Sequence, residues 1–261
     1  MQEFYDSKAS RGFSAERNRT IAALIEAFLA PGKPDILSVL DVGCGGGETT
    51  LAVFDILEKR GVVEREKVSL YGWEVSPVYT RKALDVGIQA EVRDVSHPDA
   101  AATEKHPHDL VIFSEVLEHL VDTGCAMRNI RRVLKTGGAL VLTTPNLAAW
   151  YNRILLLMGI QPHLTEVSFE SRRFGNPLFA KVMVEIPGSA RMAGHLRVFT
   201  YKALIEFLQH FDFEIIRCLG IASHGDLPSR FISKIWTAGA GGIGVLAIKR
   251  PERQSDLSVG A

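Results

Sequence analysis

Three side chains in the segment SEVLEHL (114–120) could do chemistry together: Glu115, Glu118 and His119. Spacings of three and four put them on one face of a helical turn. Two carboxylates and an imidazole make half of a divalent-metal site, and an ion such as Mg2+ held there would lower the pKa of a hydroxyl and ready it for attack. Without an ion, His119 or the more distant His195 could act as general base, since an ordinary imidazole titrates near neutrality. A plainer reading has Glu115 and His119 lining a pocket or capping a helix, with His195 in an exposed loop. The sequence leaves both open.

A second constellation lies upstream, in VLDVGCGGGETT (39–50). Gly43, Gly45 and Gly47 would let the backbone pass close under a bound cofactor. A dinucleotide fits poorly, because the sixth position counted from Gly43 is Glu48, whose charge would face the pyrophosphate. S-adenosylmethionine carries no phosphate and meets no such obstacle. Asp41 can accept a hydrogen bond from a cationic group. Glu74 in YGWEVSP is placed to accept from ribose hydroxyls, and Asp94 in EVRDVS from the adenine amine, with Val95 beside the ring. Acids at three consecutive strand ends are the feature that points to this cofactor.

The elements that would position these groups alternate. An amphipathic helix is expected over 14–30, stopped by Pro31-Gly32-Lys33-Pro34, then strands at 36–41, 68–74, 88–93, 109–114 and 139–144. Helices should follow at about 47–60, 77–86 and 121–135, the last capped by Lys135-Thr-Gly-Gly138. That order implies a doubly wound parallel sheet with every candidate acid on its carboxyl edge. After Pro145 the rhythm breaks. Residues 146–199 read as an insertion over the active site, in which Trp150, Tyr151, Ile154, Leu155, Leu157, Phe169, Phe174, Phe179 and Met183 could enclose an acceptor. Helix and strand return at 200–211, 213–219 and 243–250, and a flexible tail follows Pro251. The expected organisation is therefore an N-terminal helical segment (1–35), a cofactor core (36–145), a lid (146–199), the rest of the core (200–250) and the tail (251–261).

Thirty basic and thirty acidic side chains balance in 261 residues, so no net field draws nucleic acid or an anionic membrane. The arginines at 128, 131 and 132 with Lys135 fit a solvated helix face, and His97, His106 and His108 fit a loop. Cys44, Cys125 and Cys218 form no metal or disulfide spacing, which suits a reducing compartment. The N-terminal twenty residues have no apolar core, and Ile154–Ile160 is too short to cross a bilayer, so a cytoplasmic enzyme is expected.

The segments VLDVGCGGGETT, YGWEVSP, EVRDVS, DLVIFSEVLEHLVD and LKTGGALVLTTPN together resemble the class I S-adenosylmethionine-dependent methyltransferases, in particular their small-molecule branch. The resemblance implies a Rossmann-like seven-stranded sheet whose last strand is antiparallel. It implies that Gly43, Gly45 and Gly47 approach the amino-acid end of the cofactor while Asp41 helps to hold its amine, Glu74 takes the ribose, and Asp94 takes the adenine. Ser114, at the end of the fourth strand, joins that cofactor-facing set. SEVLEHL is similar to a segment of two metal-using groups, the ubiquinone-biosynthesis O-methyltransferases and the small-RNA 2′-O-methyltransferases. Both carry a Thr-Pro-Asn, here Thr144-Pro145-Asn146, and a further histidine, here His195. The implied activity is methyl transfer to a small molecule at oxygen, with Glu115, Glu118, His119 and His195 as the Mg2+ ligands. Rivals are an RNA 2′-O-methyltransferase and a silent S-adenosylmethionine-binding protein.

Overall fold

Alternate residues of the apolar run that opens the sheet face opposite ways. In strand β1 (Leu37–Val42), Leu37 and Val39 enter one core cluster and Leu40 and Val42 the other, all buried. Strand β4 (His108–Ser114) divides likewise, with Leu110 and Ile112 on one face and Val111 and Phe113 on the other. Strands apolar on both sides need cover on both sides, which a parallel sheet receives from its crossover helices. The computed structural model describes residues 8–32, 34–104, 106–168, 170, 174–175, 194–222 and 227–251.

Chain order in this structure is α1 (Lys8–Leu29), β1, α2 (Glu48–Lys59), β2 (Val68–Glu74), α3 (Pro77–Asp85), β3 (Gln89–Val92), β4, α4 (Thr123–Val133), β5 (Leu134–Pro145), α5 (Trp150–Leu157), α6 (Tyr201–His210), β6 (Phe213–Ile221), α7 (Leu227–Ile235) and β7 (Gly242–Lys249). The seven strands lie in the order β3-β2-β1-β4-β5-β7-β6. The strands from β1 to β5 pair in parallel, and β7 runs antiparallel to both its neighbours, as the resemblance implied. Ile21, Leu24 and Ile25 of α1 and Val53, Phe54 and Leu57 of α2 cover one face. Met127 and Ile130 of α4 and Leu204 and Leu208 of α6 cover the other. The strand order reverses between β1 and β4, and in such sheets the reversal opens a crevice at the carboxyl ends of those two strands.

Three expectations need correction. Lys135 to Gly138 do not cap a helix: α4 ends at Val133 and the chain is already extended at Leu134, so these residues begin β5. His108 is no loop residue but a fully buried member of β4, whose Nδ1 lies 2.9 Å from Ser38 Oγ. Burial lowers its pKa, because the charged ring is poorly solvated there. Helices α5 and α7 were not expected. No described helix is long and apolar enough to cross a membrane.

Candidate active site

The crevice floor is the turn after β1. Gly43, Gly45 and Gly47 have φ of 79°, 55° and 91°, values that favour glycine. Their surroundings differ. A Cβ on Gly43 would come within 2.4 Å of Val116 and one on Gly47 within 2.6 Å of Ile88, whereas a Cβ on Gly45 would meet nothing within 4 Å. Gly45 therefore fronts open space where a ligand can lie, and the other two permit close packing of the protein on itself. Gly43→Ala should force Val116 away and carry the adjoining Glu115–His119 segment with it. The left-handed backbone alone costs about 1–2 kcal/mol, or a fall in melting temperature of roughly 2–8 °C. An unchanged melting temperature in thermal unfolding would refute this account.

Glu74 clamps that turn. Its Oε2 accepts from the Gly45 backbone N–H at 3.0 Å and its Oε1 from that of Ser76 at 2.9 Å, and each oxygen keeps a further lone pair for a ligand hydroxyl. Asp41 is buried at the end of β1 and accepts from the Thr50 hydroxyl. Burial pushes its pKa up to about 6, against the hydrogen bond from Thr50 and the positive field of Arg17. The Cys44 thiol is pushed up to about 12 by burial and by the charges of Asp41 and Glu74, so it stays protonated and is no nucleophile. Asp94 is two residues beyond β3, exposed, with Oδ1 accepting from the backbone and hydroxyl of Ser96. Val95 beside it is buried, and the fully buried Asn129 of α4 donates to the carbonyls of Val95 and His97, fixing this loop.

Across the crevice, Glu115 has φ of 56°, an unusual conformation for a residue with a side chain and one that tends to mark functional sites. Thr143 links Ser114 to Glu115: the Ser114 and Thr143 hydroxyls are 2.8 Å apart, and Thr143 Oγ1 donates to Glu115 Oε1 at 2.9 Å. The expected helical face is not formed. Leu117–His119 is a short 3-10 turn that begins after Glu115, so Glu118 points into the protein and His119 towards solvent. Glu118 is fully buried, with Oε2 accepting from Thr144 at 3.1 Å and, among the described residues, no hydrogen-bond partner for Oε1. Burial raises the pKa of both carboxyls, and the charge of Glu115 raises Glu118 further.

The segment after β5 returns to this point. The Asn152 side chain exchanges hydrogen bonds with the His163 backbone, holding the loop that presents the Leu164 carbonyl and Glu166. Glu166 accepts from the Gly194 N–H at 2.7 Å, and the Leu164 carbonyl lies 3.0 Å from His195 Nδ1. His119 Nδ1 lies 3.1 Å from the Gly194 carbonyl. A carbonyl partner places the proton of each ring on Nδ1 and the basic lone pair on Nε2. The two rings are 5.0 Å apart, and ligand atoms of Glu118, His119 and His195 all lie within 4.8 Å of one another. Of the four expected metal ligands these three come together, and Glu115 is not in the group.

Arg17 of α1 also acts on this site. The structure buries it, with Nη2 donating to Thr49 at 3.0 Å and its charge acting on Asp41, Glu115 and Glu118. Nothing in the local sequence around Arg17 signals this; only the docking of α1 against α2 does. Of the expected acceptor wall, Trp150, Tyr151 and Leu155 are half-buried, Ile154, Leu157 and Phe174 are exposed, and Phe169, Phe179 and Met183 lie outside the described residues.

Residues 13–217 match the family model described as a methyltransferase domain. The chain belongs to the methyltransferase domain family. The cofactor of this class is S-adenosylmethionine, and the crevice suits it: Asp41, Glu74, Glu115 and Glu118 outnumber Arg17, so a ligand bearing a sulfonium and an ammonium group meets complementary charge. Over 110 residues the methyltransferase is 33% identical to the ubiquinone biosynthesis O-methyltransferase of Citrobacter koseri, a match covering 41% of this chain and 42% of that one. The corresponding protein of Xanthomonas euvesicatoria pv. vesicatoria is 32% identical over 108 residues, covering 41% and 43%. These matches thus span less than half the length of those relatives. Among solved structures, N-methyltransferase NodS from Bradyrhizobium japonicum in complex with S-adenosyl-L-homocysteine aligns over 95% of this chain and 90% of its own, with TM-score 0.51 and 16% identity. The cyclase SpnF aligns over 90% and 82%, with TM-score 0.55 and 17% identity. Likeness at that level gives the fold alone, and a cyclase among the neighbours shows why the acceptor must be argued from the site.

Proposed function

We propose that this methyltransferase acts on a hydroxyl of a small molecule. Glu118, His119 and His195 hold a divalent cation beside the acceptor, and the segment 146–199 forms the acceptor side of the site. The observation that carries this reading is the convergence of a buried carboxylate oxygen, lacking a hydrogen-bond partner among the described residues, with two imidazoles, each oriented by a backbone carbonyl. The name of the O-methyltransferase relatives supports oxygen as the acceptor atom. Mg2+, which the resemblance implies, prefers oxygen ligands, so a donor set of two nitrogens and one oxygen suits Mn2+ or Zn2+ better. When bound, such an ion would make a coordinated hydroxyl more acidic.

The chain's own residues do the rest. Glu74 and Gly45 set the cofactor at the reversal between β1 and β4, and the field of the four acids holds its cationic end. Glu118, His119 and His195 flank the acceptor position on the β4 and β5 side. The hydroxyl oxygen attacks the methyl carbon as the carbon–sulfur bond breaks, leaving S-adenosylhomocysteine. Most of the rate gain comes from this alignment. In the absence of an ion, Nε2 of His119 or His195 takes the hydroxyl proton.

Calorimetric titration of the chain with Mn2+, Zn2+ and Mg2+ tests the cation. Binding should be tightest for the transition ions and at least about tenfold weaker in His195→Ala, as expected for loss of a ligand. Methyl transfer to phenolic and alcoholic acceptors should fall with a chelator and return with Mn2+. Absence of binding for every ion, with transfer indifferent to chelator, would leave the imidazole as base and remove the cation.

A further inference from the structure

Strands β5 and β6 end against the same residue of β7: Pro145 and Ile221 both pair with Gly242. Helix α5 follows the first strand and α7 the second, so both leave the sheet at one corner of the edge that carries the glycine turn and the acids. A stacking contact joins them. The Arg153 guanidinium lies over the Trp236 ring, 4.7 Å from its centroid, and donates to the Ala238 carbonyl at 3.3 Å. Beyond this joint both helices turn large apolar side chains outward: Leu157 is 88% exposed, Phe231 63% and Ile235 67%, with Leu156 and Met158 also more than half exposed. Isolated exposed apolar residues are ordinary, but a cluster on two joined helices marks a surface that is covered in use.

Charge indicates the cover. The helix sequences WYNRILLL and LPSRFISKI carry Arg153, Arg230 and Lys234 and no carboxylate, although acids and bases balance over the whole chain. Leucine, isoleucine and phenylalanine beside exposed cations, with a tryptophan at the margin, is the composition of helices that lie in the headgroup layer of an anionic bilayer. A second copy fits less well, because a two-fold contact through this face would bring like charges together. We propose that α5 and α7 form a docking face for an anionic lipid surface, which lies beside the acceptor side of the crevice. This inference stands apart from the acceptor atom and the cation.

The test uses the full chain sedimented with vesicles of phosphatidylcholine alone or mixed with phosphatidylglycerol. Binding to the mixed vesicles should be at least about tenfold tighter and should weaken as salt rises. The double variant Leu157→Asp, Ile235→Asp should lose about tenfold or more in this binding, and Lys234→Glu should weaken it in the mixed vesicles only. Melting temperature and calorimetric affinity for S-adenosylhomocysteine should match the parent in all variants, so a failure at the face is distinguished from a failure of the cofactor site. Equal sedimentation of parent and variants, or none with mixed vesicles, overturns the proposal. So does a parent dimer in analytical ultracentrifugation that the double variant dissolves, which would assign the face to a second copy.

Discussion

Glu74→Ala is expected to weaken binding of S-adenosylhomocysteine by about a hundredfold, with the fold intact, because hydrogen bonds to a charged group contribute about 1.5–3 kcal/mol each. Glu74 holds the cofactor turn by accepting from Gly45 on one oxygen and anchors its own loop by accepting from Ser76 on the other. Alanine removes the proposed ribose acceptor and releases the Gly45 backbone at the one glycine of the turn that fronts open space. Glu74→Gln keeps one acceptor oxygen and should lose less. Calorimetry on the two variants, with circular dichroism as the fold control, checks this. A loss under threefold for the alanine variant would mean that the ribose is held elsewhere.

Asp41→Asn should stabilise the ligand-free chain above neutral pH. Burial holds the Asp41 pKa at about 6 against an ordinary 3.8, so between those values the folded chain keeps a proton that the unfolded chain has released. This group's contribution is therefore intact below pH 3.8 and is lost as pH rises to about 6. Above that range the folded chain bears a cost on the order of 3 kcal/mol. Asparagine retains an oxygen for the Thr50 hydroxyl and cannot ionise, so the loss between pH 4 and 6 should flatten. Cofactor affinity should run the other way. The cationic end of S-adenosylmethionine favours the ionised acid, so the parent should bind more tightly as pH rises through about 6, and the variant should lose that slope. Parallel pH profiles for parent and variant, in either unfolding or binding, would contradict the assignment.

The half of the site built from local sequence was legible. Gly43, Gly45, Gly47 and Glu74 lie where strand ends and turn chemistry put them, since each is fixed by the element it terminates. The metal-like group was legible only in part. Glu118, His119 and His195 do converge, but the one-face helical reading failed because the chain takes a left-handed step at Glu115 and then a 3-10 turn, which i, i+3 and i, i+4 counting cannot foresee. Arg17 and Asn129 act from helices distant in sequence, and their roles depend on packing angles that periodicity does not encode. Helix α5 was missed because its exposed leucines blur the amphipathic pattern. Leu157 was accordingly given to a pocket it does not line.

Helix α1 docks partly on the closing strand. A Cβ on Gly244 of β7 would come within 2.9 Å of Thr20 and 3.2 Å of Leu24, so the helix lies close on that strand's backbone. During synthesis α1 and the glycine turn emerge early, yet the surface that seats α1, and with it Arg17, is finished only when β7 leaves the ribosome. Contacts of such long sequence separation form late. A nascent chain stalled before β7 would carry the motif residues of the cofactor turn without Arg17 seated beside them.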